Sequence, residues 1–484
     1  MTATCEGRSV QHFLDWFRER GNPDKPWLIL GKGPSYNLQH QYDLSGYERL
    51  SLNHVVREAQ VALAHMIDID VVTACGEALL AHAGALVMPW YPHVKNYVGS
   101  KTLEQWASEI SVLRRLDNEG RLLWYDLRTA KVRHGPHPVV HAGAFSAETA
   151  LDLLAMAGVR SARSLGVDGG ASYGRSFDDL KDITRLNNGH PSYDLQFAGF
   201  ARIIQRSGID YAPLTIESPI RVYVGSQEEQ MLSVKVLEYS IRRYASMTTK
   251  VTPLHRAGIE FAMPRDAKNR PRTPFSFQRF AIPTLADYKG RAIYCDSDMQ
   301  VFRDIRELWT LPFDGADLLA CPAQDGSSRR PQFSVMLLDC ERLRWTPQSV
   351  VDALDCGEID YQQVMFEMAL AKTVKATIPP SWNSLEHFEP GRTALLHYTD
   401  MNTQPWVYRY NRCGDLWIRE LIAAVKDGFI SVDEVREHVQ RGWVRPSLLQ
   451  QVQSEYASGA LLPGIGWWRD RRFIAPYKTL PGQR

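Results

Sequence analysis

Apolar residues recur along this chain in two alternating rhythms. Short runs such as Trp27-Leu-Ile-Leu30, Leu50-Ser-Leu52 and Ile220-Arg-Val-Tyr-Val224 read as buried or half-buried strands, as does 164–167. Between them lie stretches with apolar positions three and four residues apart, which predicts helices. These cover 9–20, with Phe13, Trp16 and Phe17 on one face, then 103–116 and 147–157. The β-branched residues at 69–72 read as a strand, and the long apolar stretch 71–90 as a strand followed by a buried helix. Glu77, His82 and two glycines within it argue against a membrane span. The alternation is the mark of an α/β fold, here two Rossmann-like domains in tandem. Two prolines in 211–219 mark the join, which places one domain at 1–215 and a second at 216–410. Helical patterns at 415–426 and 431–441, then a tail rich in Trp and Arg, form a helical C-terminal extension over 411–484.

Composition narrows the class. The 484 residues are 44% hydrophobic and 23% charged, as in a globular protein. A formal net charge of +1 gives no field to attract nucleic acid. Seven cysteines, none in a CxxC pair, argue against a disulfide framework and suit a reducing cytosol. The polar opening Met1-Thr-Ala-Thr does not read as a signal peptide, so the expected location is cytoplasmic.

The richest chemistry lies in Arg291-Ala-Ile-Tyr-Cys-Asp296-Ser-Asp298. An apolar strand runs into two carboxylates spaced i, i+2, which share one face. A hard divalent cation bridging a phosphate would make that pairing favourable. Two solvated loop acids are the bland alternative. His397, at the end of Leu395-Leu396, followed by a polar turn and Pro405-Trp406, is a candidate third ligand for a Mn²⁺-like ion. Asp360 with Gln363 is a capping-box pattern, so Asp360 also reads as a helix cap. Trp382 and Asn383 read equally as packing and turn residues. In the first half, Gly31-Lys-Gly-Pro-Ser35 follows a strand, Asn53 tips the next, and Leu165-Gly-Val-Asp168 ends a later one. Glycines let backbone N–H groups approach a phosphate, and ligands in α/β sheets gather at such strand ends.

Taken in order, the phrases Thr273-Pro-Phe-Ser-Phe-Gln-Arg279-Phe, Asp296-Ser-Asp298, Gln332-Phe-Ser334, Asp360-Tyr-Gln-Gln363, Ile378-Pro-Pro-Ser-Trp-Asn383 and His397 resemble the family 8 glycosyltransferases over roughly 220–410. The resemblance implies a glycosyltransferase-A type fold and retaining, metal-dependent transfer from a nucleotide-diphosphate sugar, here taken as UDP-linked. It implies Mn²⁺ or Mg²⁺ on Asp296, Asp298 and His397, with Asp296 also touching the donor. Arg279 is then the basic residue ahead of the metal motif, Asp360 an acid near the donor sugar, and Gly225 part of the donor-binding strand end. The chain departs from the family in four places, one of them the family's Asn-Ser-Gly, which appears here as Gln332-Phe-Ser334. The first strand ends Val224-Gly-Ser-Gln-Glu-Glu-Gln230 without the usual Asp, Tyr361 displaces a Gln, and Gln404 replaces a Lys that contacts diphosphate.

The first half resembles the family 42 sialyltransferases and the related archaeal pterin diphosphokinases over about 25–215. That implies nucleotide contacts from Gly31, Gly33, Ser35, Asn53 and Asp168, with Lys32 in place of the usual Asn. Binding is expected to be independent of metal, because no Asp-x-Asp pair ends a strand in this half and Asp68 and Asp70 lie inside or before theirs. The combined expectation is a bacterial-type enzyme acting on a surface glycan or glycolipid, bifunctional if the first half also transfers a sugar. A nucleotide-binding scaffold without turnover is the alternative. Trp467-Trp468-Arg-Asp-Arg-Arg472 near the end would suit peripheral contact with the inner face of a membrane, or packing on its own domain.

Overall fold

The computed structural model describes residues 10–130, 133–143, 145–182, 189–271, 273, 275–323, 332–458, 468 and 470–476. The chain divides into two compact units. One holds residues up to Glu217 with Ser246–Thr248, and the other runs from Ser218 onward without those three.

The first unit is built on one parallel sheet. Its strands are β1 (Gln11–His12), β2 (Trp27–Leu30), β3 (Glu48–Leu52), β4 (Val61–His65) and β5 (Ala83–Pro89). A hairpin of β6 (His93–Val94) and β7 (Tyr97–Val98) follows, then β8 (Leu122–Tyr125), β9 (Ser161–Leu165) and β10 (Asp210–Pro213). The sheet order is β1-β8-β5-β4-β3-β2-β9-β10. A sheet covered on both faces needs strands that are apolar throughout, and all four residues of β2 and of β8 are buried. From β2 the chain steps one way through β3, β4 and β5 to β8, then returns to lay β9 on the other side of β2. The reversal leaves a crevice at the C-terminal ends of β2 and β9, where open α/β sheets hold ligands.

Two sequence expectations are corrected here. Ile69–His82 is a helix, bent at Gly76, and the strand β5 follows it instead of preceding it. Ile69, Val72, Cys75 and Leu79 are its buried residues, at helical spacing, so burial on one face outweighs the β-branched run. The helix expected over 103–116 is two, Leu103–Glu109 and Ser111–Asn118, broken by the extended backbone of Ile110.

The second unit carries β11 (Ile220–Gly225), β12 (Thr249–Pro253), β13 (Arg291–Asp296), β14 (Met299–Val301), β15 (Leu318–Cys321), β16 (Gln332–Asp339), β17 (Val374–Lys375), β18 (Ser384–Leu385) and β19 (Leu395–His397). Six of them form a sheet ordered β12-β11-β13-β16-β15-β17, in which β16 runs antiparallel to β13 and β15. A small sheet, β14-β19-β18, holds the rest. The later helices Gly414–Lys426, Val432–Gln440 and Ser447–Gln453 share a core with the helix Met231–Tyr244. Trp417, Leu421, Val435 and Leu448 pack there with Leu232, Val236, Tyr398 and Trp406. Both units are therefore α/β, with helices closing the C-terminal side of the second. No helix among the described residues is long and apolar enough to cross a membrane.

Candidate metal and donor site

The end of β13 and the small sheet make the site. β13 carries Asp296 to its C-terminal tip, and the chain turns through Ser297 and Asp298 into β14. β14 pairs antiparallel with β19 so that Met299 faces His397, and Tyr398 N–H donates to Asp298 O at 2.8 Å. That pairing brings together residues a hundred positions apart. Asp296, Asp298 and His397 each offer a ligand atom, all within 4.8 Å of one another.

The contacts around these atoms are selective. Asp298 Oδ2 accepts from Gln404 Nε2 at 2.9 Å. Its other oxygen, Oδ1, is buried without a hydrogen bond, though it lies at ion-pair distance, 3.1 Å, from His397 Nε2. His397 Nδ1 meets Asn383 Oδ1 at 3.0 Å, and Asn383 Nδ2 donates to Ser334 Oγ at 3.1 Å. Asp296 Oδ1 accepts from the Tyr294 hydroxyl at 2.5 Å and lies 3.8 Å from Arg279. Arg279 is itself fixed by a bond to Phe333 O at 3.1 Å and by stacking over the Tyr294 ring at 4.5 Å. Gly225 pairs with Asp296 across β11 and β13, and a Cβ there would come within 2.3 Å of the Tyr294 hydroxyl. Only glycine leaves that hydroxyl on Asp296.

Electrostatics follow from crowding. Burial pushes the Asp296 carboxyl above its ordinary pKa, against the pull of Arg279, and the charge of Asp298 adds to the rise. Burial disfavours a charged His397, but Asp298 and then Asp296 outweigh it and raise the imidazole pKa. Two hard carboxylate oxygens, one orphaned, and an imidazole nitrogen suit a Mn²⁺- or Mg²⁺-like ion.

Asp360 has a different local role. It is exposed, and its carboxylate accepts from Gln363 N–H at 2.8 Å while Gln363 Oε1 accepts from Asp360 N–H at 2.9 Å, the capping box visible in the sequence. The helix that follows, Gln363–Glu367, is a π-helix, a form frequent at functional sites.

In the first unit, Gly31, Gly33, Ser35 and Asp168 meet at the crevice between β2 and β9. Gly33 N–H donates to Gly166 O at 2.8 Å. A Cβ on Gly31 would lie 2.2 Å from Gly166 O, and one on Gly33 would lie 2.6 Å from Asp168 Oδ2. Asp168 takes both Ser35 donors, N–H at 2.7 Å and hydroxyl at 2.5 Å, and Ser35 Oγ accepts from Gly166 N–H at 2.7 Å. A carboxylate thus sits against the start of the 3₁₀ turn Pro34–Gln41, where the sequence suggests a phosphate. Asn53, with φ of 53°, reaches Ser146 Oγ at 3.3 Å. Burial lowers the Lys32 pKa to about 8. Asp68 and Asp70 accept from Asn96 and Lys95 N–H groups, each at 2.8 Å, and so fix the turn between β6 and β7.

Sequence reading missed a second group, His12, Asp15 and His137. The two imidazoles stack at 3.7 Å and 8°, so their in-plane lone pairs run side by side instead of converging. His12 Nδ1 accepts from Leu14 N–H, which leaves the proton of the neutral ring on Nε2. That arrangement does not suit a metal. Of the tail segment considered for membrane contact, Trp467 and Arg469 lie outside the described residues, and Trp468 is exposed.

No protein-family model matches the chain. Protein CDI of Arabidopsis thaliana is 25% identical over 237 residues, covering 42% of this chain and 87% of that protein. Among solved structures, the galactosyltransferase LgtC with donor and acceptor sugar analogs matches at 12% identity and a TM-score of 0.29, over 42% of this chain and 96% of its own. The glycosyltransferase GlyE of Streptococcus pneumoniae matches at 15% identity and a TM-score of 0.32, over 50% of this chain and 65% of its own. The bifunctional glycosyltransferase WbbM matches at 14% identity and a TM-score of 0.29, over 44% of this chain and 51% of its own. The chain thus spans about half of WbbM and two thirds of GlyE.

Proposed function

We propose that the second unit is a metal-dependent glycosyltransferase of the glycosyltransferase-A type. It would move a sugar, with retention, from a UDP-linked donor to a glycan or glycolipid acceptor. One observation carries this reading: Asp298 Oδ1 and His397 Nε2 face each other at 3.1 Å beside Asp296, while Asp298 Oδ2 and His397 Nδ1 are each held by a side-chain amide. Bound there, a divalent cation would act as a Lewis acid on the diphosphate. The chain's own residues then divide the work. Asp298 and His397 would hold the cation, with Asp296 a third ligand that would also touch the donor. Arg279, 3.8 Å from Asp296, offsets part of the burial that disfavours its charge. Gly225 leaves room for the Tyr294–Asp296 contact and for a donor at the tip of β11. Asp360 is assigned to the sugar end of the donor.

The first unit would bind a nucleotide or nucleotide sugar without metal, around Gly31, Gly33, Ser35, Asn53 and Asp168. Its place at the strand reversal supports this. The Asp168–Ser35 bonds mean that a phosphate must displace Asp168 or be held by Lys32 and the loop beside it.

The test is a panel of nucleotide sugars incubated with the full chain and Mn²⁺, scored for hydrolysis or transfer. Turnover that stops in EDTA and returns with Mn²⁺ supports the reading. Turnover that persists in EDTA overturns it, and nucleotide binding without turnover favours a scaffold.

A further inference from the structure

We propose that Asn383 and Gln404 are the positioning residues of the cation site, each turning one ligand so that its free lone pair faces the same point. The inference rests on reading Asp296, Asp298 and His397 as a metal site, and it assigns a task to two neutral amides that this reading leaves idle.

Both amides are buried, Asn383 to 4% exposure and Gln404 to 5%. Both are engaged through the atoms that face the site. Asn383 ends the turn Pro380–Asn383, and β18 follows directly. Its Nδ2 is spent on Ser334 Oγ, so its oxygen faces the imidazole. An amide oxygen can only accept, so the ring keeps its proton on Nδ1 and presents a bare Nε2 to Asp298 when it acts as a ligand. Gln404 does the matching work on the carboxylate. Its Nε2 is shared between Asp298 Oδ2 at 2.9 Å and Tyr398 O at 3.0 Å, which pins one oxygen and leaves Oδ1 orphaned beside Nε2. The amide holds Asp298 without consuming its charge, which stays available for a cation. Outer partners of this kind fix ligand orientation, and their loss typically costs 10–100-fold in metal affinity.

The experiment titrates Mn²⁺ into the full chain and its variants, reading free Mn²⁺ by electron paramagnetic resonance and thermal stability in EDTA. Asn383→Leu and Gln404→Met should each weaken Mn²⁺ binding about 10–100-fold. Asn383→Asp should rescue it, because a carboxylate also accepts from Nδ1–H and Ser334 can turn its hydroxyl to donate. A purely structural role predicts the reverse pattern, with lower melting temperatures in EDTA and unchanged Mn²⁺ affinity in all three variants. If the wild type binds Mn²⁺ and Asn383→Leu and Gln404→Met bind it equally well, the positioning role is overturned and the metal site stands. If the wild type binds no Mn²⁺, both fall together.

Discussion

Acid should unfold the first unit well before carboxylate protonation sets in. Three of its histidines are buried and held neutral. Burial lowers His65 to about 3, burial and then Lys32 lower His54 to about 4, and burial and then His137 lower His12 to about 4. The unfolded chain titrates the same rings near 6.5. Below that pH the unfolded state takes up protons that the folded state refuses, so stability is full above about pH 6.5 and falls as pH drops toward 4. Each ring contributes a slope of about 1.4 kcal/mol per pH unit, and the three together should remove about 4 kcal/mol between pH 7 and 5.5. Against a typical total of about 5–15 kcal/mol, that loss is large. Asp68, whose pKa burial raises, works in the opposite sense at lower pH. Urea titrations of the full chain at pH 7, 6 and 5.5, read by pulsed hydrogen exchange on peptides from β3 to β5, measure the effect directly. His65→Gln should remove about a third of the slope while leaving the sign. The reasoning is wrong if the urea midpoint of these peptides is flat across the range, or if the three rings titrate near 6.5 in NMR spectra.

Other consequences can be checked singly. Wild type at Mn²⁺ about 100-fold above its Kd should gain about 2.7 kcal/mol over the EDTA form, and Asp298→Asn should lose that gain in differential scanning calorimetry. A retained Mn²⁺ shift in Asp298→Asn would count against the ligand assignment. Gly225→Ala must displace the Tyr294 hydroxyl, and should cost about 1–3 kcal/mol in urea unfolding and lower Mn²⁺-dependent turnover. Arg445, almost fully buried, holds Pro405 O at 3.0 Å and bonds to Ser447 and Gln451. Arg445→Met leaves those acceptors unpaired and should destabilise the second unit by about 2–4 kcal/mol, with unchanged stability as the refuting result.

What could be read from sequence follows from what is local. β2 and β13 are legible because strands buried on both faces are apolar throughout, and Asp296 marks where β13 leaves the core. The Asp360 cap is legible because both partners lie within one turn. Ile69–His82 misled because β-branched residues at its start hide a helical burial spacing. Long-range pairings left no local trace. Nothing near Met299 announces that β14 will lie against β19, although that register is what sets Asp298 beside His397. Gln404 stood out in sequence only as a departure before Pro405-Trp406, and Asn383 as a turn residue. Their tasks depend on partners 106 and 14 residues away. The mutual hold of Asp168 and Ser35 spans 133 residues and was equally hidden.

Charge balance supports the proposed cation. Asp296 and Asp298 bring two carboxylates into a buried site, and Arg279, 3.8 Å from Asp296, supplies one fixed positive charge. One negative charge is left over, and leaving it unpaired in a low-dielectric interior is expensive. Tyr294 and Gln404 donate hydrogen bonds but add no charge. Asp298, whose Oδ1 lies 3.1 Å from His397 Nε2, and then Asp296 raise the imidazole pKa against the effect of burial, so without a cation the site favours a proton on His397. A divalent cation at the same point would replace that proton and bring charge to spare for an approaching diphosphate. The same reasoning separates the two units. In the first, Asp168 accepts from the N–H and hydroxyl of Ser35, so any ligand in that crevice must compete with a carboxylate already in place.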